Sequence, residues 1–318
     1  MSGSAMPARL MLLDTASLYF RAFYGVPDSI RRSDGTPVNA VRGLLDMIAR
    51  LTVDYEATHL VACWDDDWRP QWRVDLIPSY KAHRVAEEVQ AAPDVEVVPD
   101  PLEAQIPLIR ETLALAGIAV VGAPEHEADD VIGSYATQAE LPVDVVTGDR
   151  DLFQLVDDSR DVRVIYTAKG MKNLEVLTDA VVVSKYKVLP EQYAAFATLR
   201  GDTSDGLPGV AGIGEKTAAT LLGRFGTLEA LRAAATDAGS DLAAGVRQKL
   251  EAASDYLDVA PRVVNVVRDL ELPSLEEAGA ELRPVTGDDR AELERLATDW
   301  NLGGSVGRLL AALDRTGG

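Results

Sequence analysis

The sequence predicts an α/β fold, a mostly parallel central sheet flanked by helices, followed by a helical second half. Three observations predict it. Short apolar runs alternate with helix-length amphipathic stretches through the first half. Several of those runs end in an acidic residue, and beyond about residue 184 the strand-like runs give way to segments rich in Ala, Leu and charge.

Taken in order, RLMLLD reads as a strand ending in Asp14, and residues 38–51 as an amphipathic helix. HLVACW is a second strand running into Asp65 and Asp66, followed by a helical stretch over 102–116. IAVVG, a helix over 129–138, VDVVTG running into Asp149, and VRVIY complete the alternation. In an open α/β sheet the carboxyl ends of the strands line one crevice, so acids far apart in sequence meet there. Residues 86–101, AEEVQAAPDVEVVPDP, are acidic, punctuated by Pro and without periodicity, which predicts a mobile excursion rather than core. EQYAAFATLRG, GEKTAATLLGRFG, TLEALRAAA and DLAAGVRQKLEAASDYLDVA read as helices. The expected division is an α/β core over 1–183, a helical region over 184–285, and a tail over 286–318 that packs back on the core.

The chain of 318 residues is long enough to bury its own core, and 47% hydrophobic with 26% charged residues is ordinary for a globular protein. No apolar run approaches the roughly 20 residues that span a bilayer, so no membrane partner is expected. The start MSGSAMPARLMLLD is too short before its first strand to read as a secretory signal, which makes a cytoplasmic location the expectation. One cysteine and three scattered histidines exclude a disulfide framework and an ordinary zinc site. The formal net charge of −20 is unusual for a protein that meets a polyanion. Carboxylates that hold cations, however, count as negative in the sum and reverse sign locally once metal binds.

The carboxylates carry the chemistry. HEADDVIGSY holds Glu127, Asp129 and Asp130 at a helix start; TGDRDLFQL holds Asp149 and Asp151 after a strand; LRGDTSDGLPG holds Asp202 and Asp205 in a turn. Singly, each group has an ordinary reading as helix-dipole complement, cap or turn residue. Jointly, with Asp14 and Asp65 or Asp66, they form a crowd that cannot all ionise without compensating charge. Hard cations with oxygen ligands, Mg²⁺ or Mn²⁺ and two or more of them, are the economical compensation, and they suit in-line displacement at a phosphodiester. Gly209, Gly212 and Gly214 precede a helix starting near Glu215, with Lys216 and Thr217 in its first turn. Such glycines let backbone amides approach a phosphate at a helix N-terminus. PSYKAHR gathers Tyr80, Lys81 and Arg84, with Arg69 and Arg73 upstream, as a clamp for a phosphate.

The ordered set of LLD with an Arg seven residues on (Asp14, Arg21), an Asp before YKxxR, EADD, TGDRDLFQL and GDxSD-LPGVxGIGxKTA resembles the bacterial 5′–3′ exonuclease and flap endonuclease family, including the 5′-nuclease domain preceding DNA polymerase I. The resemblance runs from about residue 10 to beyond residue 222. It implies a PIN-like nuclease core with a two-metal site, an arch over about 69–101 for 5′ single strands, and a helix-hairpin-helix that grips duplex DNA with a bound K⁺. By the same resemblance Asp14, Glu127, Asp129 and Asp149 form one ligand group and Asp151, Asp202 and Asp205 a second, with Asp130 close to both. Lys81 and Arg84 are similar to a phosphate-contacting pair and Arg21 to a DNA-contacting arginine; Tyr80 goes with the DNA contacts. The implied substrates are DNA 5′ ends, flaps and nicks, extending to RNA primers on DNA. The implied setting is a monomer in replication and repair, near the nucleoid, beside a polymerase or ligase. Three departures stand out. Asp65, Asp66 and Asp67 replace a single Asp, with strand geometry favouring Asp65 and spacing to Lys81 favouring Asp66. The stretch after Arg84 is longer and more acidic. Gly206 stands where Asn is common, a change that the freedom of glycine accommodates.

Overall fold

The computed structural model describes residues 8–87 and 94–316. The strands are β1 (Leu10–Asp14), β2 (His59–Cys63), β3 (Val85–Glu87), β4 (Val95–Glu96), β5 (Ala119–Val121), β6 (Val143–Thr147), β7 (Val162–Tyr166) and β8 (Glu175–Leu177). Six of them form one sheet in the order β5-β2-β1-β6-β7-β8, parallel except for β8. All five residues of β1 are buried, as a central strand covered on both faces requires. Its side chains alternate between two cores: Leu10 and Leu12 pack on one face of the sheet, Met11 and Leu13 on the other.

The first core lies under α6 (below) and the helices of the second half, and the second lies under the N-terminal helices and the C-terminus. The helices are α1 (Thr15–Gly25), α2 (Asn39–Asp54), α3 (Gln71–Leu76), α4 (Asp100–Glu103), α5 (Ile106–Leu115) and α6 (Ala128–Gln138). They continue as α7 (Asp179–Tyr186), α8 (Tyr193–Arg200), α9 (Glu215–Phe225), α10 (Leu228–Thr236), α11 (Ala244–Ala252), α12 (Ser254–Val264), α13 (Gly287–Asp299) and α14 (Gly303–Thr316). The stretch read as one helix over 102–116 is two, α4 and α5, broken at Ala104 and Gln105. The fully buried Gln105 side chain accepts from the amides of Ala40 and Val41 at 2.9 and 3.3 Å, a tertiary bond that periodicity does not show. No described helix is long and apolar enough to cross a membrane.

Strand β1 has β2 on one side and β6 on the other, so the chain changes direction across the sheet at its centre. The crevice beyond the carboxyl ends of these strands is where an open parallel sheet places its ligand. Residues 266–270, after α12, strap the second half to α6. Ser134 Oγ donates to Val267 O at 3.2 Å and accepts from the Leu270 amide at 3.2 Å, and a Cβ at Gly133 would stand 2.6 Å from Val267 O.

Gly133→Ala therefore sets helix propensity against a backbone collision. Alanine favours a helix interior by about 1 kcal/mol, yet the strap has to shift, which costs about 1–3 kcal/mol. The urea midpoint of Gly133→Ala should fall below wild type; a rise would mean that the strap yields freely.

Candidate active site

A cavity of about 240 Å³ opens at the carboxyl end of the sheet, and Asp14, Asp65, Glu127, Asp129 and Asp149 line it together with Lys81 and Arg84. Each acid is placed by the backbone at a strand or helix end. Asp14 ends β1 and caps α1, accepting from the Ser17 amide at 3.1 Å and from Thr147 Oγ1 at 2.7 Å. The same threonine oxygen accepts from the Asp149 amide at 2.8 Å, so Thr147 fixes the first strand's acid against the acid that follows β6. Asp65 accepts from the Ala128 amide at 2.8 Å, across from β2 to the start of α6.

Glu127 is the hub. It caps α6, and its carboxylate accepts from Tyr80 OH at 2.8 Å, from Arg73 Nη1 at 3.3 Å and from the ammonium of Lys81. Lys81 adopts left-handed backbone, φ 48°, an uncommon conformation for a side chain of this size. Its amide is held by Asp205 O at 3.0 Å. A second acidic group continues from the first: Asp151 donates its amide to Asp149 Oδ1 at 2.8 Å, and Asp205 accepts from Arg84 at 3.3 Å. Asp202 is paired with Arg200 at 3.2 Å and with Arg150 at 3.6 Å.

Burial and mutual repulsion shift these groups together. Burial, with the Asp65 and Asp149 charges adding, raises the Asp14 carboxyl to about 7 despite the bonds from Thr147 and Ser17. Burial likewise raises Asp205 to about 6. Asp129 and Asp151 are pushed well above the carboxylate range by burial first and by neighbouring aspartates second. Burial opposes the charge on Lys81, but Glu127, Tyr80, Asp205 and Asp129 outweigh it and hold the ammonium protonated.

By type these donors fit a hard divalent cation: carboxylate oxygens throughout, an excess of negative charge, and a buried Asp151 Oδ1 with no hydrogen-bond partner. Among the described residues no three of them are already gathered closely enough to enclose one ion. Ligands that repel one another and a cation that retains several waters are consistent with such an open arrangement.

The family model described as the 5′-3′ exonuclease N-terminal resolvase-like domain matches residues 9–187, and the 5′-3′ exonuclease C-terminal SAM fold matches residues 188–286. A 5′-3′ exonuclease of Streptomyces coelicolor is 58% identical over 303 residues, 95% of this chain and 99% of that protein. One from Mycobacterium tuberculosis is 49% identical over 316 residues, covering 97% and 99%. The chain belongs to the 5′–3′ exonuclease family. It is a nuclease. Among solved structures of similar fold, T5 5′-exonuclease with bound divalent zinc aligns at a TM-score of 0.63 with 18% identity, covering 92% of this chain and 97% of that one. Flap endonuclease-1 from Methanococcus jannaschii aligns at 0.60 with 16% identity, covering 97% and 94%.

Several residues singled out in this exonuclease-family sequence lie elsewhere than expected. Asp65 faces the cavity, whereas Asp66 is exposed, packs against Gly122 and lies 3.8 Å from Arg110. Asp65 follows β2 two residues after its last strand residue, and spacing to Lys81 is a poor guide because α3 and its flanking turns intervene. Asp130 is not part of the cavity wall. Both its oxygens are engaged, by Arg73 at 2.7 and 2.8 Å, by the Val267 amide at 2.9 Å and by the Glu127 amide at 3.3 Å, so it anchors the strap to α6. Tyr80 is buried against Glu127 rather than offered to DNA. Gly209, φ +66°, is buried where a Cβ would meet Gly201 N at 2.4 Å; Gly212, Gly214 and Lys216 are exposed and Thr217 is half-buried. Gly206 is obligatory here: φ is +69° and a Cβ would lie 2.0 Å from Ser79 O, beside Lys81. Arg21 lies beside Gly148, its Nη2 3.3 Å from where a Cβ there would stand.

The excursion over 86–101 lies partly outside the described residues. Its described parts are tied down: β3 pairs with β4, Trp68 Nε1 donates to Asp94 O at 2.7 Å, and Val97 N donates to Arg84 O at 2.8 Å. This brings Glu96 into the cavity wall, a placement for which the aperiodic sequence held no signal. Arg73 was visible only as one of several upstream bases, and its partners lie 54 and 57 residues away.

Arg73→Met should cost about 3–5 kcal/mol in unfolding free energy, because Asp130 and Glu127 are left buried without their cation. Adding Asp130→Asn should recover part of that loss, and additive losses would refute the pairing. The pH response follows from the raised carboxyls. The folded chain binds these protons more tightly than the unfolded chain, in which carboxyls titrate near 3.8. Ionisation therefore destabilises, fully so above about 7 for Asp14, and the penalty lifts as pH falls through 7 and 6. In chelator, the melting temperature should rise between pH 8 and pH 5.5, and Asp14→Asn should flatten the rise; an equal rise in that variant would place its origin elsewhere.

Proposed function

We propose that the chain hydrolyses phosphodiesters of DNA at 5′ ends and at 5′ flaps or nicks, and that RNA primers paired to DNA are also substrates. The observation that supports this most is the cavity in which six carboxylates, Glu96 among them, and two cationic side chains meet at the carboxyl end of the sheet. Asp14, Asp65, Glu127, Asp129 and Asp149 are the proposed ligands beside the cavity, with Asp151, Asp202 and Asp205 as the second group; Asp66 and Asp130 are left out. Mg²⁺ or Mn²⁺, two or more when bound, would supply an activated water and stabilise the leaving oxygen. The solved T5 relatives with divalent zinc, and with DNA and metal ions, support that choice of ligand and substrate.

The chain's own side chains bind and orient the strand. Lys81 and Arg84 neutralise the oxygens of the phosphate that is cut, Lys81 with its ammonium held by Glu127 and Arg84 with its guanidinium against Asp205. Arg21, at the rim beside Gly148, contacts the adjoining strand. Gly212, Gly214, Lys216 and Thr217 hold the backbone of the duplex at the start of α9, where unpaired amides and the helix dipole favour a phosphate. Residues 1–183 then form the catalytic body, 184–285 the duplex grip, and the tail, through α14, a brace on α2. Action as a monomer, in the cytoplasm at the nucleoid, beside a polymerase or ligase, completes the reading. The match of 226 residues at 44% identity to 24% of Mycobacterium bovis DNA polymerase I supports the link to a polymerase.

Asp149→Asn tests it. The amide keeps the bond from the Asp151 amide and removes one charge, so flap cleavage in Mg²⁺ should fall at least about 10²-fold, while binding to the same flap in Ca²⁺ stays near wild type. Near-normal cleavage at saturating Mg²⁺ would remove the carboxylates from the mechanism. Wild type that binds but never cleaves would favour an idle DNA-binding module.

A further inference from the structure

Buried polar atoms in folded proteins nearly always have a hydrogen-bond partner, so a group of them without one calls for an account. Three such atoms stand at the second acidic group: Tyr193 OH, Asp151 Oδ1 and Arg200 Nε, each buried and without a partner among the described residues. Tyr193 opens α8 and its side chain is fully buried. Its ring packs at 5.3 Å against Phe153, which stands two residues after Asp151 on the short 3-10 helix Asp151–Leu155. The ring also lies 5.6 Å from Phe196, and the Arg200 guanidinium sits 5.2 Å over that phenylalanine. Burial pushes the Tyr193 phenol well up, and the charges that act on it include those of Arg200, Asp151 and Arg150.

The three atoms are chemically complementary. Arg200 Nε is only a donor, an ionised Asp151 oxygen only an acceptor, and a phenol hydroxyl is both. The other nitrogens of Arg200 are engaged, Nη1 with Glu215 at 3.0 Å and Nη2 with Asp202 at 3.2 Å, which fixes the direction of its Nε–H. Phe153, Phe196 and the ring of Tyr186 at 5.3 Å would suit a phenylalanine at position 193 equally well. A buried hydroxyl costs free energy unless it is bonded, so the polar pair beside it is what accounts for a tyrosine.

We propose that Tyr193 is a positioning residue: its hydroxyl accepts from Arg200 Nε and donates to Asp151 Oδ1, directly or through one buried water, and so orients the Asp151 carboxylate toward a divalent cation. This rests on the assignment of Asp151 to the second ligand group given above. A carboxylate oxygen has two lone pairs, so a bond from Tyr193 leaves Oδ1 able to face the cation as well. Hydrogen bonds of this kind orient a metal ligand, and losing one weakens metal binding by about 10–100-fold.

Tyr193→Phe removes the hydroxyl and keeps the ring. Two readouts follow the metal: the apparent Kd of Mn²⁺ from the rise in melting temperature over NaCl at matched ionic strength, and the Mg²⁺ concentration that gives half-maximal flap cleavage. Both should increase at least about tenfold in Tyr193→Phe, with the saturated cleavage rate changing less than the half-maximal concentration. Asp151→Asn should weaken Mn²⁺ binding too, and adding Tyr193→Phe to it should weaken binding no further, because the hydroxyl acts only through that carboxylate. Unchanged metal affinity in Tyr193→Phe overturns the inference, whatever its melting temperature without metal, since a purely structural hydroxyl would give that result. Additive losses in the double variant overturn it as well. If Asp151→Asn weakens Mn²⁺ binding and Tyr193→Phe does not, the second ligand group stands without Tyr193. If Asp151→Asn itself binds Mn²⁺ as wild type does, that ligand group fails and the inference fails with it.

Discussion

Carboxylates crowded at one end of a buried parallel sheet repel one another, and much of the architecture offsets that repulsion. Glu127 is shared among Tyr80, Arg73 and Lys81, and Asp202 lies between Arg200 and Arg150. Burial and neighbouring acids outweigh the bases near Asp129 and Asp151 and, with Asp14, push these carboxyls above the usual carboxylate range. The acids of the cavity wall face inward, while Lys216, at the start of α9, and Lys249, on α11, stand exposed.

The two halves of the chain are joined through that crowd rather than merely packed. Arg73 on α3 bridges Asp130 and Glu127 at the start of α6 and also donates to Val263 O at 3.2 Å on α12. Lys81 takes its backbone position from Asp205, and Gly206 lies against Ser79 so closely that no side chain fits. A displacement of the turn at Asp205 and Gly206 is therefore passed to the loop that carries Lys81 by one hydrogen bond and one close packing contact. Arg200 extends the link, since it bonds both Asp202 and Glu215, the first residue of α9. The start of α9 and the cavity are thus linked through side-chain bonds.

Periodicity was enough to read the alternation of strands and helices, the acid at the end of several strands, and the helix start at Glu215. These depend on local pattern: an apolar run long enough for a central strand, small residues at a turn, an acid at a helix start. That acids following β1, β2 and β6 and at the start of α6 meet on one side follows from parallel topology, because parallel strands present their carboxyl ends together.

Which neighbouring acid turns inward was decided by tertiary structure. Asp65 and Asp66 are adjacent and chemically identical, yet one accepts from Ala128 in the cavity and the other lies exposed over Gly122, since successive residues leaving a strand point to opposite sides. Asp129 and Asp130 divide likewise, one toward the cavity and one to Arg73, 57 residues away in the chain. The break between α4 and α5, the entry of Glu96 into the wall and the seat of Lys249 on Gly212 all depend on partners distant in sequence. The sequence by itself determined which residues stand at strand and helix ends, because that is local geometry; the fold alone decided which of them face one another, because a side chain's partner is set by packing across the chain.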